Sequence, residues 1–139
     1  MAVRPRPTAG RLAALLAGAG VAHLAVPKPF DAIVPRALPG DPRTWTYVSG
    51  AVELGLAAAI AHPRTRRLGG LAAAGFFVAV FPANVKMAHD WRHKPAPLRV
   101  AVQARLPLQA PLVWWALRVA VDGGRGAVGA DDGAAADRP

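Results

Sequence analysis

Four apolar runs separated by short basic clusters constrain this chain more than any other feature. They are "RLAALLAGAGVAHLAVP", "WTYVSGAVELGLAAAIA", "LGGLAAAGFFVAVFPANVKMA" and "LRVAVQARLPLQAPLVWWALRVAV". A soluble four-helix domain would need polar residues at helical spacing on each run, and the second and third lack such a face. The predicted fold is therefore all-α, a bundle of four transmembrane helices. A span takes roughly 20 residues at about 1.5 Å each, so the first two runs sit near the lower limit. The Ala-rich first run also fits the apolar core of a signal peptide behind "MAVRPRP", although the His and Pro that follow suit a cleaved leader poorly.

Composition agrees with burial in lipid. The 139 residues make one domain, and 53% of them are hydrophobic, more than a soluble chain of this size usually needs. The formal charge of +9 would point to nucleic acid in a soluble protein. Here the cations gather between the apolar runs, as in Lys28, Arg36 and Arg43, or Arg64, Arg66 and Arg67. Clusters so placed anchor helices at headgroups, which makes the bilayer the expected partner and excludes nucleic acid.

The chain divides into a basic segment at 1–10, a four-helix membrane domain at 11–121 and a tail, "DGGRGAVGADDGAAADRP", expected to be disordered because it lacks periodicity. After the first run, "KPFDAIVPRALPGDPR" is broken by prolines. Its Phe30, Ile33, Val34 and Leu38 recur at helical spacing among Asp31, Arg36 and Arg43, which predicts a short amphipathic helix in the interface. Gly18, Gly20, Gly50, Gly55, Gly69, Gly70, Ala73 and Gly75 offer close helix approach. The two sides of the membrane carry nine and seven basic residues, with Arg105 left inside. That small bias and the "RTRR" turn predict a multi-pass protein of the cell membrane with both termini cytoplasmic.

Glu53 stands almost alone in an apolar run, with Arg43 and Arg64 its nearest charges in sequence. Alternating connectors place it near mid-span. His23, Asn84, Arg105 and Gln109 fall toward the face shared by the connectors after runs one and three. Five polar groups thus converge on one half of the bilayer. Arg105 and Gln109, four residues apart, share a helix face. A lone charge in lipid costs roughly 2.5 to 3.5 kcal/mol, so such groups turn inward and pair. Arg105 is the natural partner for Glu53; a protonated Glu53 bonded to backbone or amide is the alternative.

"HLAVPKPFDAIVPRALP", "YVSGAVELG", "PRTRRLGG", "VAVFPANVKMA" and "RLPLQAPLVWWA" together resemble the DoxX-like family of small four-helix membrane proteins, over about residues 11 to 120. The resemblance implies an integral four-helix bundle. For some relatives it implies association with quinone-linked sulfur oxidation, or with membrane complexes that handle oxidative and thiol stress. The family's recurring polar positions would map onto His23, Glu53, Asn84, Arg105 and Gln109. This chain has no cysteine, so it cannot exchange disulfides by itself. No phosphate-cradling or dinucleotide glycine motif is present, and no catalytic residue is assigned. "HDWRH" sets His89 and His93 at i and i+4, a weak metal candidate beside Lys and Arg at the expected headgroup level.

Two function classes follow. One is a non-catalytic subunit or scaffold of a membrane redox or oxidative-stress complex, or a homo-oligomer, its polar cluster a structural clasp. The other is a binding or transport protein whose polar cavity holds a quinone, lipid or small solute. A closed bundle favours the first; a cavity reaching His23, Glu53 and Arg105 favours the second.

Overall fold

The computed structural model describes residues 7–135, with side chains from 8 to 125. Five helices follow in order: α1 (Pro7–Ala25), α2 (Pro27–Asp31), α3 (Pro42–Ala61), α4 (Arg66–Asp90) and α5 (Ala96–Ala135). Local sequence sets several of these limits. Asp41 caps α3 by accepting from the Arg43 amide at 2.8 Å, with Pro42 in the first turn where its missing N–H is harmless. α3 stops before His62 because Pro63 drives its predecessor into an extended conformation, and His62 has φ −80° and ψ 126°. Helical structure continues through Pro82 in α4 and through Pro107 and Pro111 in α5.

α1 packs on α3 and α4 on α5, while α3 and α4 join the two pairs. The start of α1 is tied to α5 by Trp115 Nε1, which donates to the Thr8 carbonyl at 3.1 Å. Thr8, the α3–α4 turn and the later part of α5 therefore form one end of the bundle, here the terminal end. α2 and the α4–α5 turn mark the other, the connector end. Near the terminal end the core consists of Leu12, Leu16, Ile60 and Val119 with a run of alanines: Ala57, Ala73, Ala74 and Ala116. Such small side chains let the backbones approach. A Cβ on Gly70 would lie 2.7 Å from the Ala120 nitrogen, and one on Gly20 would lie 2.8 Å from the Gly50 carbonyl oxygen. Gly69 abuts Ala59 in the same way. Gly18, Gly55 and Gly75, expected to do likewise, have nothing within 4 Å of that position.

Every one of the last four carbonyls of α3, which no helix can satisfy internally, is taken up at the terminal end. His62 N–H donates to Ala58 O at 3.1 Å and Thr65 Oγ1 to Ala59 O at 2.8 Å. Arg66 takes the remaining two, with Nε 3.0 Å from Ile60 O and Nη2 3.1 Å from Ala61 O. Arg66 is buried, so it is a helix cap rather than the headgroup anchor its cluster suggested.

Two further expectations are corrected. The segment from 122 onward is not structureless as far as it is described, because α5 continues to Ala135. Gly123 and Gly124 lie against Arg66 and Arg67, and Arg125 pairs with Asp122 at 4.0 Å, so packing and a helical ion pair carry the helix past the apolar run. Residues 1–6 of the basic segment and 136–139 of the tail lie outside the described residues. The amphipathic helix after α1 is also shorter than its pattern: α2 ends at Asp31, and residues 32–40 form turns.

The outer surface is apolar on all four long helices. Leu15 and Val21 on α1, Val48 and Val52 on α3, Leu68 and Val78 on α4, and Leu108 and Trp114 on α5 are exposed, Leu68 at 69% and Trp114 at 61%. Among the described residues two helices, α1 over Thr8–Ala25 and α4, are long and apolar enough to cross a membrane. The protein is thus all-helical with two such helices.

Candidate functional site

At the connector end the bundle opens into a cavity of about 410 Å³. Its walls are mostly apolar and aromatic, with Phe30, Trp45, Phe76 and Phe77 among them. His23, Glu53, Asn84, Arg105 and Gln109 all line it. The structure therefore brings the five sequence-selected residues to one space, supplied by α1, α3, α4 and α5.

They form two groups. On α4 and α5, Gln109 donates through Nε2 to the Phe77 carbonyl and accepts through Oε1 from Asn84 Nδ2 at 3.2 Å. Both side chains are buried, and this amide clasp ties the two helices together. On α1 and α3, His23 Nδ1 lies 2.8 Å from the Ala19 carbonyl and 2.9 Å from Glu53 Oε2. A carbonyl only accepts, so Nδ1 carries the hydrogen and directs it at Ala19. Glu53 Oε2 is left buried without a hydrogen-bond partner among the described residues, in close electrostatic contact with the ring. The same ring stacks on Phe30, centroids 3.9 Å apart.

The expected Glu53–Arg105 pair is corrected. Glu53 pairs with His23, whereas Arg105 is exposed, lines the same cavity and acts on Glu53 only through its charge. The reason is the packing order: α3 lies against α1 and α4 rather than α5.

Sequence reasoning missed the latch that closes one side of the cavity. Asp31 accepts from Thr46 Oγ1 and from Arg43 Nε, both at 2.7 Å, and Trp45 Nε1 donates to Pro39 O at 2.8 Å. Burial pushes the Asp31 carboxyl up, but the two hydrogen bonds and the Arg43 charge outweigh it and hold the carboxyl below its ordinary range. So pinned, the connector turns Phe30, Ile33, Val34 and Leu38 into the cavity wall. Their helical spacing was legible, but the pairing of Asp31 with residues 12 and 15 positions away was not.

The histidine pair is corrected as well. α4 ends at Asp90, so His89 and His93 do not share a helical turn. Arg92 Nη1 donates to His89 Nε2 at 2.7 Å, occupying the lone pair a metal would need. No group of three His, Asp or Glu suited to a metal occurs among the described residues. A second groove of about 470 Å³ lies beside the cavity between residues 32–36 and the end of α4, where Lys86 is spent on Asp90 at 2.6 Å.

No curated protein and no solved structure matches the chain. A family described as a domain of unknown function, DUF8561, matches residues 12–120, from the first turns of α1 to the part of α5 that packs on Gly70. That stretch contains every residue of the cavity, and the chain belongs to this DUF8561 family.

Proposed function

We propose that the protein is a four-helix integral membrane bundle whose polar cavity binds a small amphipathic molecule, with a quinone or a lipid as the leading chemistries. The observation that carries this reading is an inside-out arrangement. The outer faces of α1, α3, α4 and α5 are apolar, while the polar side chains Glu53, Asn84 and Gln109 are buried around an open cavity. Exposed apolar side chains on every long helix support contact with lipid. Apolar walls with a few convergent polar groups are the common form of a small-molecule site. The kinship to DoxX-like bundles belongs to the same proposal, as do residence in the cell membrane and cytoplasmic termini.

The test is a recovered occupant. Protein taken from native membranes in lipid nanodiscs is expected to carry a small amphiphile, identified by mass spectrometry, which Ala83→Trp in the cavity wall displaces. Identical extracts from the wild type and Ala83→Trp would sink the reading. Orientation is tested separately with single cysteines at Arg64 and His93, which should label from opposite sides; labelling of both from one side refutes the four-span topology.

A second reading, a scaffold or subunit of a membrane redox complex or of a homo-oligomer, is favoured by one observation. Gly18, Gly55 and Gly75 are exposed with open space above them, and small residues on an outer face suit helix association in lipid. Leucine at these three positions should release a bound protein subunit without displacing the amphiphile.

A further inference from the structure

We propose that the molecule held in the cavity is uncharged and bears a hydroxyl group, which donates its hydrogen to the Glu53 carboxylate and accepts one from Arg105. This inference rests on the ligand-binding reading and narrows it. Glu53 is buried, its side chain 11% exposed, yet one of its carboxylate oxygens has no hydrogen-bond partner among the described residues. The nearest hydrogen, on His23 Nδ1, is directed at the Ala19 carbonyl. Glu53 also lines the cavity, and because the one protein hydrogen near its enclosed Oε2 is committed to Ala19, the carboxylate keeps acceptor capacity for a donor that comes from the cavity. A buried acceptor left without a donor is costly, which is why such groups are normally satisfied.

The neighbouring groups select the donor's charge. Gln109 spends Nε2 on Phe77 O and Oε1 on Asn84 Nδ2, so its amide has little left to offer a ligand. Arg105 does, with a full positive charge and five N–H donors lining the same space. An ammonium head would suit Glu53 but meet Arg105 as a like charge; a carboxylate would suit Arg105 but meet Glu53. A neutral hydroxyl is both donor and acceptor and satisfies each without repulsion. The aromatic walls at Phe30, Phe76 and Phe77 favour a ring beside that hydroxyl.

The full chain in phosphatidylcholine nanodiscs is titrated with 4-octylphenol, with its methyl ether 4-octylanisole, and with 4-octylbenzoate, bound probe being counted by native mass spectrometry. The phenol should bind about tenfold or more tighter than the ether, which accepts but cannot donate, and tighter than the benzoate. Glu53→Met should bring phenol and ether to equal affinity while keeping ether binding. Arg105→Met should weaken the phenol and leave the Glu53 preference in place. Equal binding of phenol and ether to the wild type overturns this inference and leaves the ligand-binding reading standing; saturable binding of neither overturns both. A preference that survives Glu53→Met removes Glu53 from the site. The wild-type comparison holds even if a variant fails to fold.

Discussion

The two ends of the bundle use the same kinds of residue to opposite effect. At the terminal end a buried cation, Arg66, meets two carbonyls that nothing else could satisfy, and alanine and glycine bring helices into backbone contact. At the connector end a buried carboxyl group, Glu53, sits beside one imidazole hydrogen that is already committed, and the helices part around a cavity. If the bundle lies in a membrane as proposed, it gains little from the hydrophobic effect between helices, so close packing and polar satisfaction carry its stability. The terminal end has both. The connector end keeps part of its polar capacity unspent, which is a property of sites rather than of cores.

Breaking the tight end should have the largest effect. Gly70→Val places a Cβ against the Ala120 nitrogen and the Ala116 oxygen, both backbone atoms that cannot step aside. A loss of about 3 kcal/mol is expected from such overpacking, read as reversible unfolding in mixed micelles. A loss below about 1 kcal/mol would show that α4 and α5 are not held in backbone contact.

Removing the cap comes next. Arg66→Met keeps the length of the side chain and abandons the Ile60 and Ala61 carbonyls, for an expected loss of about 2 kcal/mol. Arg66→Lys should recover only part of it, because an ammonium cannot match the two-point fork of a guanidinium. Equal stability of Arg66→Lys and the wild type would reduce Arg66 to a point charge.

These two features also mark how far the sequence could be read. Four helices and five convergent polar residues were legible because both depend on local hydropathy and on the alternation of connectors. Arg66 was not, since beside Arg64 and Arg67 it is indistinguishable from an interfacial cation until the α3 carbonyls are placed. The choice of Arg105 for Glu53 followed charge alone; the packing of α3 on α1 decided for His23 instead. The polar Gly and Asp composition after residue 121 concealed that Gly123 and Gly124 lie along the start of α4. Long-range contact, invisible to periodicity, is what each of these cases has in common.

At the border between the two ends, Gln109→Leu should cost about 1.5 kcal/mol, since it strands the Asn84 amide and the Phe77 carbonyl together. Adding Asn84→Leu should cost less than its own single change, by at least about 0.5 kcal/mol of coupling. Additive losses would mean that the two amides act independently. A smaller effect again is expected inside the open end. Ala83→Leu extends into the cavity and should change stability by less than about 1 kcal/mol, whereas Ala73→Leu, fully buried in the tight core, should cost about 2 to 3 kcal/mol. Equal penalties for the two alanines would erase the distinction between the ends.

The smallest effect is a pH dependence confined to the connector. Asp31 holds residues 27–40 against the start of α3 through Thr46 and Arg43, and its carboxyl is kept below the ordinary value near 3.8. Because the folded value is the lower one, the folded chain binds this proton less readily than the unfolded chain. The stabilisation is then fully present above the ordinary value and fades as the pH falls through the depressed one. Protection of the amides at 29–38 from hydrogen exchange should stay constant from about pH 7 to about pH 5 and drop toward about pH 3, after correction for the intrinsic exchange rate. Asp31→Asn cannot make the charged contact to Arg43, so it should start with weaker protection at neutral pH and show little further loss on acidification. The core amides of α4 should not follow either change, because they lie outside the latch. If acid leaves the connector as protected as before, or if Asp31→Asn loses protection as steeply as the wild type, then the wall of the cavity is held by Trp45 and Pro39 and by apolar contact rather than by Asp31.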